Sequence, residues 1–234
     1  MAISFDKLQT RAPELVNLAK KAQFNLSKHD LDGHAAKVAL CLDHSGSMRA
    51  AYASGQMQAL AERVLALGTQ LDDDGSIDVF FFGTEAWHAG ELTLDDYRGG
   101  VDRLRAGRHL GLTDYAGAIR AVREHYGLTA PGATADVPVY VLFLTDGAPT
   151  SRTAATNELR DASGSPVFWK FLSIGGEDIP FLQKLDDLTD RVVDNADYQP
   201  VGDLADVKDQ ALFDLLLVEY PEWLAEVRRR GILR

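Results

Sequence analysis

The stretch KVALCLDHSGSM, residues 37–48, decides the fold of this chain. Its first half, residues 37–42, is a short run with apolar side chains on both faces, which is typical of a strand buried between two helical layers. Its second half, residues 43–47, places a carboxylate and two hydroxyls on a tight loop. Gly46 allows that loop to curl without a steric penalty. The stretch therefore predicts a buried strand that ends in a polar loop.

Three oxygen-bearing side chains, Asp43, Ser45 and Ser47, alternate along this loop. On an extended or gently curled loop, alternate residues turn to the same side. A hard divalent cation such as Mg²⁺ prefers oxygen ligands of this kind, at about 2.1 Å in near-octahedral geometry. The loop therefore predicts part of a metal site, and the remaining ligands have to come from elsewhere in the chain.

Two later segments offer the missing oxygens, GLTD at residues 111–114 and LTDG at residues 144–147. The second segment follows a long apolar run, so Asp146 ends its predicted strand much as Asp43 ends the first. Neighbouring parallel strands would bring these two carboxylates together at their carboxyl ends, where ligands bind in open α/β sheets. Thr113 opens the next helical pattern, where it is either a helix N-cap or a further oxygen ligand.

Strand-like and helix-like patterns alternate along the chain, which indicates an α/β fold with a mainly parallel sheet. A weakly alternating run after the second strand suits an edge strand. The predicted strands cover residues 37–42, 76–82, 87–94, 137–144, 167–174 and 191–193. The predicted helices cover residues 13–22, 56–71, 95–104, 115–126, 153–162, 179–188 and 203–230, the last either continuous or broken at Pro221.

The composition excludes several classes of protein. The chain has 234 residues, of which 46% are hydrophobic and 25% charged, as is ordinary for a soluble globular domain. Its formal net charge of -11 argues against a binder of nucleic acid or anionic membranes, which needs a basic surface. No stretch reaches the roughly 18 apolar residues of a membrane span. The N terminus lacks the pattern of a signal peptide, so we expect a cytoplasmic protein.

Two residues beside the proposed ligands have interpretations of their own. Cys41 lies on the buried strand, which predicts an inert core thiol. His44 follows Asp43 and precedes Ser45, but neighbours on an extended segment point to opposite faces, so a Ser-His-Asp relay is not expected. We expect His44 to lie at the rim of the site.

The order of the site residues resembles the von Willebrand factor A (vWA) domain. Its metal-ion-dependent adhesion site (MIDAS) has the pattern D-x-S-x-S, followed by a distant Thr and a distant Asp. The matching positions here are Asp43, Ser45, Ser47, Thr113 and Asp146. The resemblance extends over about residues 37–196. It implies a Rossmann-like, doubly wound, mainly parallel six-stranded sheet with one antiparallel edge strand and helices on both faces. It also implies that Thr113 is a ligand, directly or through water.

A narrower resemblance is to the vWA domains of bacterial tellurium-resistance and stress-response clusters. It rests on LDDDGSIDVFFF (71–82), PVYVLFLTDG (138–147), PVFWKFLSIG (166–175), RVVDNADY (191–198) and EYPEWL (219–224). This resemblance implies a role in a tellurium-resistance or stress-response system in the bacterial cytoplasm. We expect residues 37–234 to form the vWA domain, and residues 1–36 to be a helical extension packed on it.

The resemblance implies a protein-binding module rather than an enzyme. The site is expected to hold one Mg²⁺ or Mn²⁺, with Ca²⁺ as the further alternative, and an Asp or Glu carboxylate of a protein partner is expected at the open position. The competing interpretation is a metal-assisted phosphatase of the haloacid-dehalogenase type, which places D-x-D at the end of a strand. Ser45 stands where the second aspartate of that pattern, its general acid, belongs.

Overall fold

The chain folds around one sheet, described here from a computed structural model that covers residues 2–175 and 178–234. The strands are β1 Lys37–Asp43, β2 Ser76–Phe82, β3 Ala86–Thr93, β4 Val139–Thr145, β5 Val167–Ile174 and β6 Ala196–Gly202. They lie side by side in the order β3-β2-β1-β4-β5-β6. β3 is antiparallel to β2, and all the other neighbouring pairs are parallel. This arrangement confirms the predicted fold class, with β3 as the antiparallel edge strand.

Helices cover both faces of the sheet. They are α1 Phe5–Arg11, α2 Val16–Lys28, α3 Arg49–Ala53, α4 Gln56–Leu71, α5 Gly100–Leu104, α6 Tyr115–His125, α7 Arg152–Ala162, α8 Pro180–Asp186, α9 Asp209–Leu216 and α10 Tyr220–Arg229. α6, α7 and α8 contribute to the apolar core on one face, and the other helices contribute to the core on the opposite face. Among the described helices, none combines the length and the apolar character needed to cross a membrane.

The alternating side chains of β1 are buried in both cores. Val38, Leu40 and Leu42 belong to the larger core, which includes α2, α4, α9 and α10. Ala39 and Cys41 belong to the smaller core on the other face. Burial on both faces explains why β1 reads as a continuous apolar run rather than as an alternating one. It also confirms the prediction that Cys41 is a buried core thiol.

The prediction of a last strand over residues 191–193 is wrong. In the structure these residues belong to a loop, in which the Arg191 guanidinium donates to the carbonyl oxygens of Leu188, at 2.7 Å, and Asp186. β6 begins later, at Ala196. It is an edge strand, and an edge strand tolerates Pro200 because one side of its backbone needs no ladder hydrogen bond.

Two helix predictions are also corrected. The predicted helix over residues 203–230 is two helices, α9 and α10, separated at residues 217–219, where Glu219 has a φ of 63°. Pro221 lies in the first turn of α10, where the missing N–H costs no helical hydrogen bond. The helix predicted over residues 95–104 shortens to α5, because the left-handed Gly99 is its N-cap.

Both N-terminal helices contact the rest of the chain: Arg11 of α1 pairs with Asp95, and α2 makes the larger set of packing contacts. This helix packs against α4 and α9, and it buries Ala19 and Ala22. Two cations from different helices, Lys21 of α2 and Arg63 of α4, pair with Asp209 of α9 at 2.7 and 2.8 Å. Residues of α1 and α2 therefore belong to the same apolar core as one face of the sheet.

Candidate metal centre

The ends of β1 and β4 bring two carboxylates to one edge of the sheet. Asp43 is the last residue of β1, and Asp146 directly follows β4. The two strands are parallel, with Leu42 beside Leu144. Ser47 spans the gap, because its hydroxyl donates to Oδ1 of Asp146 at 2.8 Å. The structure thus places these residues together although about a hundred positions separate them in the sequence.

The loop after β1 joins its own oxygens by hydrogen bonds. The backbone N–H of Ser45 donates to Oδ1 of Asp43 at 2.8 Å, and the hydroxyl oxygens of Ser45 and Ser47 are 3.1 Å apart. With the bond from Ser47 to Asp146, these contacts form a continuous chain across four of the five predicted ligands. All of these groups present hard oxygen atoms, the kind of ligand that Mg²⁺ and Mn²⁺ prefer.

A polar layer lies behind the Asp43 carboxylate. The hydroxyl of Thr145 donates to Oδ2 of Asp43 at 2.6 Å. The buried phenol of Tyr115 lies 3.3 Å from the Thr145 hydroxyl and also donates to the carbonyl of Gly147. Sequence reasoning missed Tyr115, since the pattern marks it only as the first residue of an amphipathic helix. Both oxygens of Asp43 are therefore oriented by protein donors.

Thr113 lies on a loop that is fixed against the first one by backbone contacts. The N–H of Gly111 donates to the His44 carbonyl at 2.8 Å, and the N–H of Gly46 donates to the Gly111 carbonyl at 3.2 Å. Any larger residue at position 111 would collide, because an added Cβ would lie 2.5 Å from the backbone nitrogen of Thr84. The carbonyl of Thr113 accepts from the N–H of Thr150 at 2.8 Å.

The interpretation of Thr113 as the N-cap of the following helix is wrong. The N-cap of α6 is Asp114, whose carboxylate accepts from the N–H of Gly117 at 3.0 Å. The neighbouring Thr113 side chain is consequently not used for capping. Its role as a ligand remains a prediction.

Burial dominates the electrostatics of Asp43. Its side chain is fully buried, and this burial raises its pKa from 3.8 to about 6, with a smaller upward contribution from the Asp146 carboxylate. Hydrogen bonds from Thr145 and Ser45 oppose the rise. A buried carboxylate with a second carboxylate nearby favours a bound cation, because the cation offsets both the desolvation of Asp43 and the repulsion from Asp146. The residues present therefore fit a divalent ion.

The site is accessible from the side of Ser47 and Asp146. A cavity of about 510 Å³ opens there, and its lining includes Ser47, Ala50, Ser54, Asp146, Ile174 and Asp203. Asp43 is buried and does not line this cavity. An external group can therefore approach the oxygens of Ser47 and Asp146 from solvent, whereas the buried Asp43 carboxylate is not in contact with solvent.

The predicted position of His44 at the rim is wrong. Its side chain is 1% exposed, and its ring lies edge-on to Tyr52, Phe81 and Trp87 with centroids 5.6 to 5.7 Å away. Burial lowers the pKa of His44, so the neutral imidazole is the favoured form. His44 thus belongs to an aromatic cluster beneath the loop rather than to its solvent edge.

Solved structures share this fold. Proximal thread matrix protein 1 from the mussel byssus superposes with a TM-score of 0.57 at 15% identity, over 79% of this chain and 47% of that one. This chain thus spans about half the length of the mussel protein. Another structure of that protein, with a zinc-occupied MIDAS motif, has a TM-score of 0.56 at 15% identity, over 80% and 48% of the two chains. The manganese-loaded TRAP protein of Plasmodium vivax has a TM-score of 0.51 at 16% identity, over 80% and 74%.

Sequence comparison gives a nearer relative and a family. The uncharacterized protein YcbR of Bacillus subtilis (strain 168) is 34% identical over 224 residues, which are 94% of this chain and 90% of that protein. The family described as vWA-TerF-like, the vWA found in the TerF C terminus, matches residues 35–233. This match confirms the resemblance noted in the sequence. The chain therefore belongs to the vWA-TerF-like family of von Willebrand factor A domains.

Proposed function

We propose that this domain binds one Mg²⁺ or Mn²⁺ and uses it to hold an acidic group of a protein partner. The proposed ligands are Asp43, Ser45, Ser47, Thr113 and Asp146. The observation that carries the proposal is the chain of hydrogen bonds that links four of these residues at one edge of the sheet, with the backbone N–H of Ser45 as the donor to Asp43. A bound ion would supply an electrophilic position for an external carboxylate. The two protein carboxylates balance a divalent charge, which leaves that position attractive to a further anion.

A basic rim beside the site supports an acidic partner. Arg49, Arg105 and Arg108 line a cavity of about 300 Å³ together with Tyr52. The guanidinium of Arg105 lies 4.5 Å from the centroid of the Tyr52 ring, and the Tyr52 hydroxyl donates to the Asp43 carbonyl at 2.8 Å. Arg105 is paired with Asp102 at 2.6 Å, so Arg49 and Arg108 supply the excess of positive charge next to the candidate metal centre of a chain whose net charge is -11. Such a local field steers an acidic surface to the site.

The phosphatase alternative lacks its proton donor. A haloacid-dehalogenase type of reaction needs a carboxylic acid two residues after the strand-end aspartate, and Ser45 occupies that place. The Ser45 hydroxyl lies against Ser47 rather than against a general base. A hydroxyl with an ordinary pKa is a poor general acid near neutral pH. We therefore propose a binding module rather than an enzyme; metal-dependent turnover of p-nitrophenyl phosphate that is lost in Asp43→Asn would reverse this choice.

The biological setting that we propose is a tellurium-resistance or stress-response system in the bacterial cytoplasm. The name of the matched family supports the link to tellurium resistance, and the relative from Bacillus subtilis supports a bacterial setting. We further propose that residues 37–234 form the vWA domain and that residues 1–36 act as its packed arm. The contacts of α2 with α4 and α9 support the packing of this arm, and the family match over residues 35–233 supports the bounds of the domain.

A capture experiment tests the proposed mechanism. Wild type and Asp146→Ala are immobilised, each with Mg²⁺ and with EDTA, and partners from a bacterial extract are quantified by mass spectrometry. Partners that need both the ion and the carboxylate support the proposal, since removal of either deletes the contact point for the partner's acid. Recovery of the same partners in all four conditions contradicts it.

Two charge-reversal variants, one in the basic rim and one far from it, test whether the rim contributes to partner binding. Arg108→Glu should reduce capture several-fold, because it replaces an attractive charge beside the site by a repulsive one. Arg160→Glu is the matched control: it makes the same charge change near the far end of α7, about 12 Å along that helix from its first residue, Arg152, which follows the Asp146 loop. Equal capture by the two variants would exclude the rim from partner binding.

A further inference from the structure

Two histidines and an aspartate converge away from the candidate metal centre. Asp78 lies on β2, His88 on β3, and His125 is the last residue of α6. Their ligand atoms, two imidazole nitrogens and one carboxylate oxygen, all lie within 4.8 Å of one another. We propose that these three residues form a second metal site, for a transition metal of the zinc class.

A β-bulge places His88 in this cluster. Between Val79 and Phe80 the pairing of β2 with β3 shifts by one residue, so Phe80 pairs with His88 rather than with Ala89. Residues two apart on a strand share a face, so the shift brings His88 to the face of Asp78. Gly90, with a φ of 121°, provides the backbone conformation for the bulge.

The distances suit a compact site. Nε2 of His88 lies 2.8 Å from Oδ1 of Asp78, and Nε2 of His125 lies 3.1 Å from the same oxygen. In tetrahedral zinc sites, metal–ligand distances of 2.0–2.1 Å put neighbouring ligand atoms about 3.3 Å apart. An ion therefore requires each of these two nitrogens to move only a few tenths of an ångström away from Oδ1 of Asp78, while the two nitrogens already lie within 4.8 Å of each other. Three protein ligands leave the fourth position to water.

Neighbouring groups hold the ligands in place. Both imidazole rings pack on the ring of Phe80, with centroid distances of 4.9 Å for His88 and 5.4 Å for His125. The phenol of Tyr126 donates to Oδ2 of Asp78 at 2.6 Å, which leaves Oδ1 to face the histidines. Orientation of a ligating carboxylate by a hydrogen bond on its other oxygen is the usual support around metal sites.

The cluster is chemically and spatially separate from the proposed MIDAS. Imidazole nitrogens select zinc-class ions, whereas hydroxyl and carboxylate oxygens select Mg²⁺ or Mn²⁺. Asp78 pairs with Ala39, four residues before the end of β1, which places it about 13 Å along the strand from Asp43. The proposal does not depend on the proposed function of that other site. A bound ion would connect the edge strand β3 to β2 and α6.

Zinc binding by an Asp146→Ala chain tests the proposal. This background weakens the proposed MIDAS, since a related fold binds zinc at that motif. The metal-free chain, without any affinity tag, is titrated with ZnCl₂ by calorimetry and then with Co²⁺ by visible absorption. We expect one zinc per chain and cobalt bands typical of a tetrahedral site. His88→Ala and His125→Ala should each weaken zinc binding at least about 100-fold, and Tyr126→Phe by about 10-fold.

His29→Ala is the matched control. His29 pairs with a single carboxylate, Asp214, at 2.8 Å, and the cluster that contains Asp78 does not include it. Its removal should leave zinc affinity unchanged. Thermal unfolding of each variant in EDTA verifies that it folds, and His88→Gln replaces His88→Ala if the alanine variant does not. No zinc uptake, or equal uptake by the His29 and His88 variants, would overturn the proposal.

Discussion

The Thr145 hydroxyl donates a 2.6 Å hydrogen bond to the buried Oδ2 of Asp43, the oxygen on the side away from the Ser45 N–H. This contact joins the end of β4 to the end of β1 across the two central parallel strands. It fixes the carboxylate before any ion arrives. Pre-orientation of this kind raises the affinity of a metal site, because less order has to be imposed on binding.

Thr145→Val should therefore weaken Mg²⁺ binding by about 10-fold to 100-fold. It should also lower the free energy of unfolding by about 1–3 kcal/mol, because Oδ2 of Asp43 is left buried without its donor. Calorimetry and urea unfolding measure the two effects. Thr69→Val is the control: Thr69 is also buried and its hydroxyl donates to Ala66, so the change should cost stability but not metal affinity. Equal metal affinities in all three proteins would contradict the role of Thr145.

The stability of the metal-free protein should fall as the pH rises through the range where Asp43 ionises. Burial raises the pKa of Asp43 from 3.8 to about 6. Between these values the folded chain binds more protons than the unfolded chain, so the free energy of unfolding decreases with rising pH. At 1.36 kcal/mol per pKa unit, the decrease is about 3 kcal/mol at most.

Urea unfolding in EDTA from about pH 4 to about pH 7 measures this dependence. Asp43→Asn should reduce it, and the part that remains comes from other carboxyls such as Asp186, whose pKa burial also raises to about 6. Mg²⁺ affinity should rise over the same range, because protons and the ion compete for one carboxylate. An Asp43→Asn variant with an unchanged pH profile would show that another group is responsible.

The sequence predicts the features that depend on local patterns of residues, and it does not predict the features that depend on contacts between residues far apart in the chain. β5 and α4 have the predicted bounds, because uniform apolar patterns there end at glycine or aspartate. The loop over residues 43–47 is predictable from the sequence because its proposed ligands are neighbours in the sequence. β6 was placed wrongly because Pro200 and the polar residues around it carry a weak strand signal.

Features that depend on tertiary contacts were not predictable. His44 looked like a rim residue because its sequence neighbours are polar, but Phe81 and Trp87, from two other strands, bury it. Tyr115 supports Thr145 only because α6 crosses the end of β4. Likewise, His88 meets Asp78 through a one-residue bulge that hydrophobic periodicity does not reveal.

The charged pair inside the sheet gives a stability prediction. Lys170 of β5 and Asp197 of β6 are adjacent in register, in ion-pair contact, and 0% and 1% exposed. Lys170→Met should lower the free energy of unfolding by about 3–5 kcal/mol, because it leaves a buried carboxylate without its cation. The double variant with Asp197→Leu should recover much of that loss. Chemical unfolding checks both, and a double variant no more stable than Lys170→Met would contradict this account of the pair.

Cys41 should not react with a thiol reagent in the folded protein. Burial raises its pKa well above the ordinary value, and the thiolate is the reactive form. Ellman's reagent should therefore label no thiol under native conditions and one thiol per chain after denaturation. Rapid labelling of the native protein would contradict the burial of β1 on both faces.

Calorimetric titration of the metal-free protein with Mg²⁺ tests the central claim most directly. Wild type should bind one ion, and Asp43→Ala should bind none in the same concentration range, since it loses a proposed ligand that donors from the loop after β1 and from the end of β4 hold in place. Asp203→Ala is the matched control: this carboxylate lines the same cavity as Asp146 but is not a proposed ligand, so its removal should leave one ion bound. Equal Mg²⁺ binding by wild type and Asp43→Ala would contradict the account.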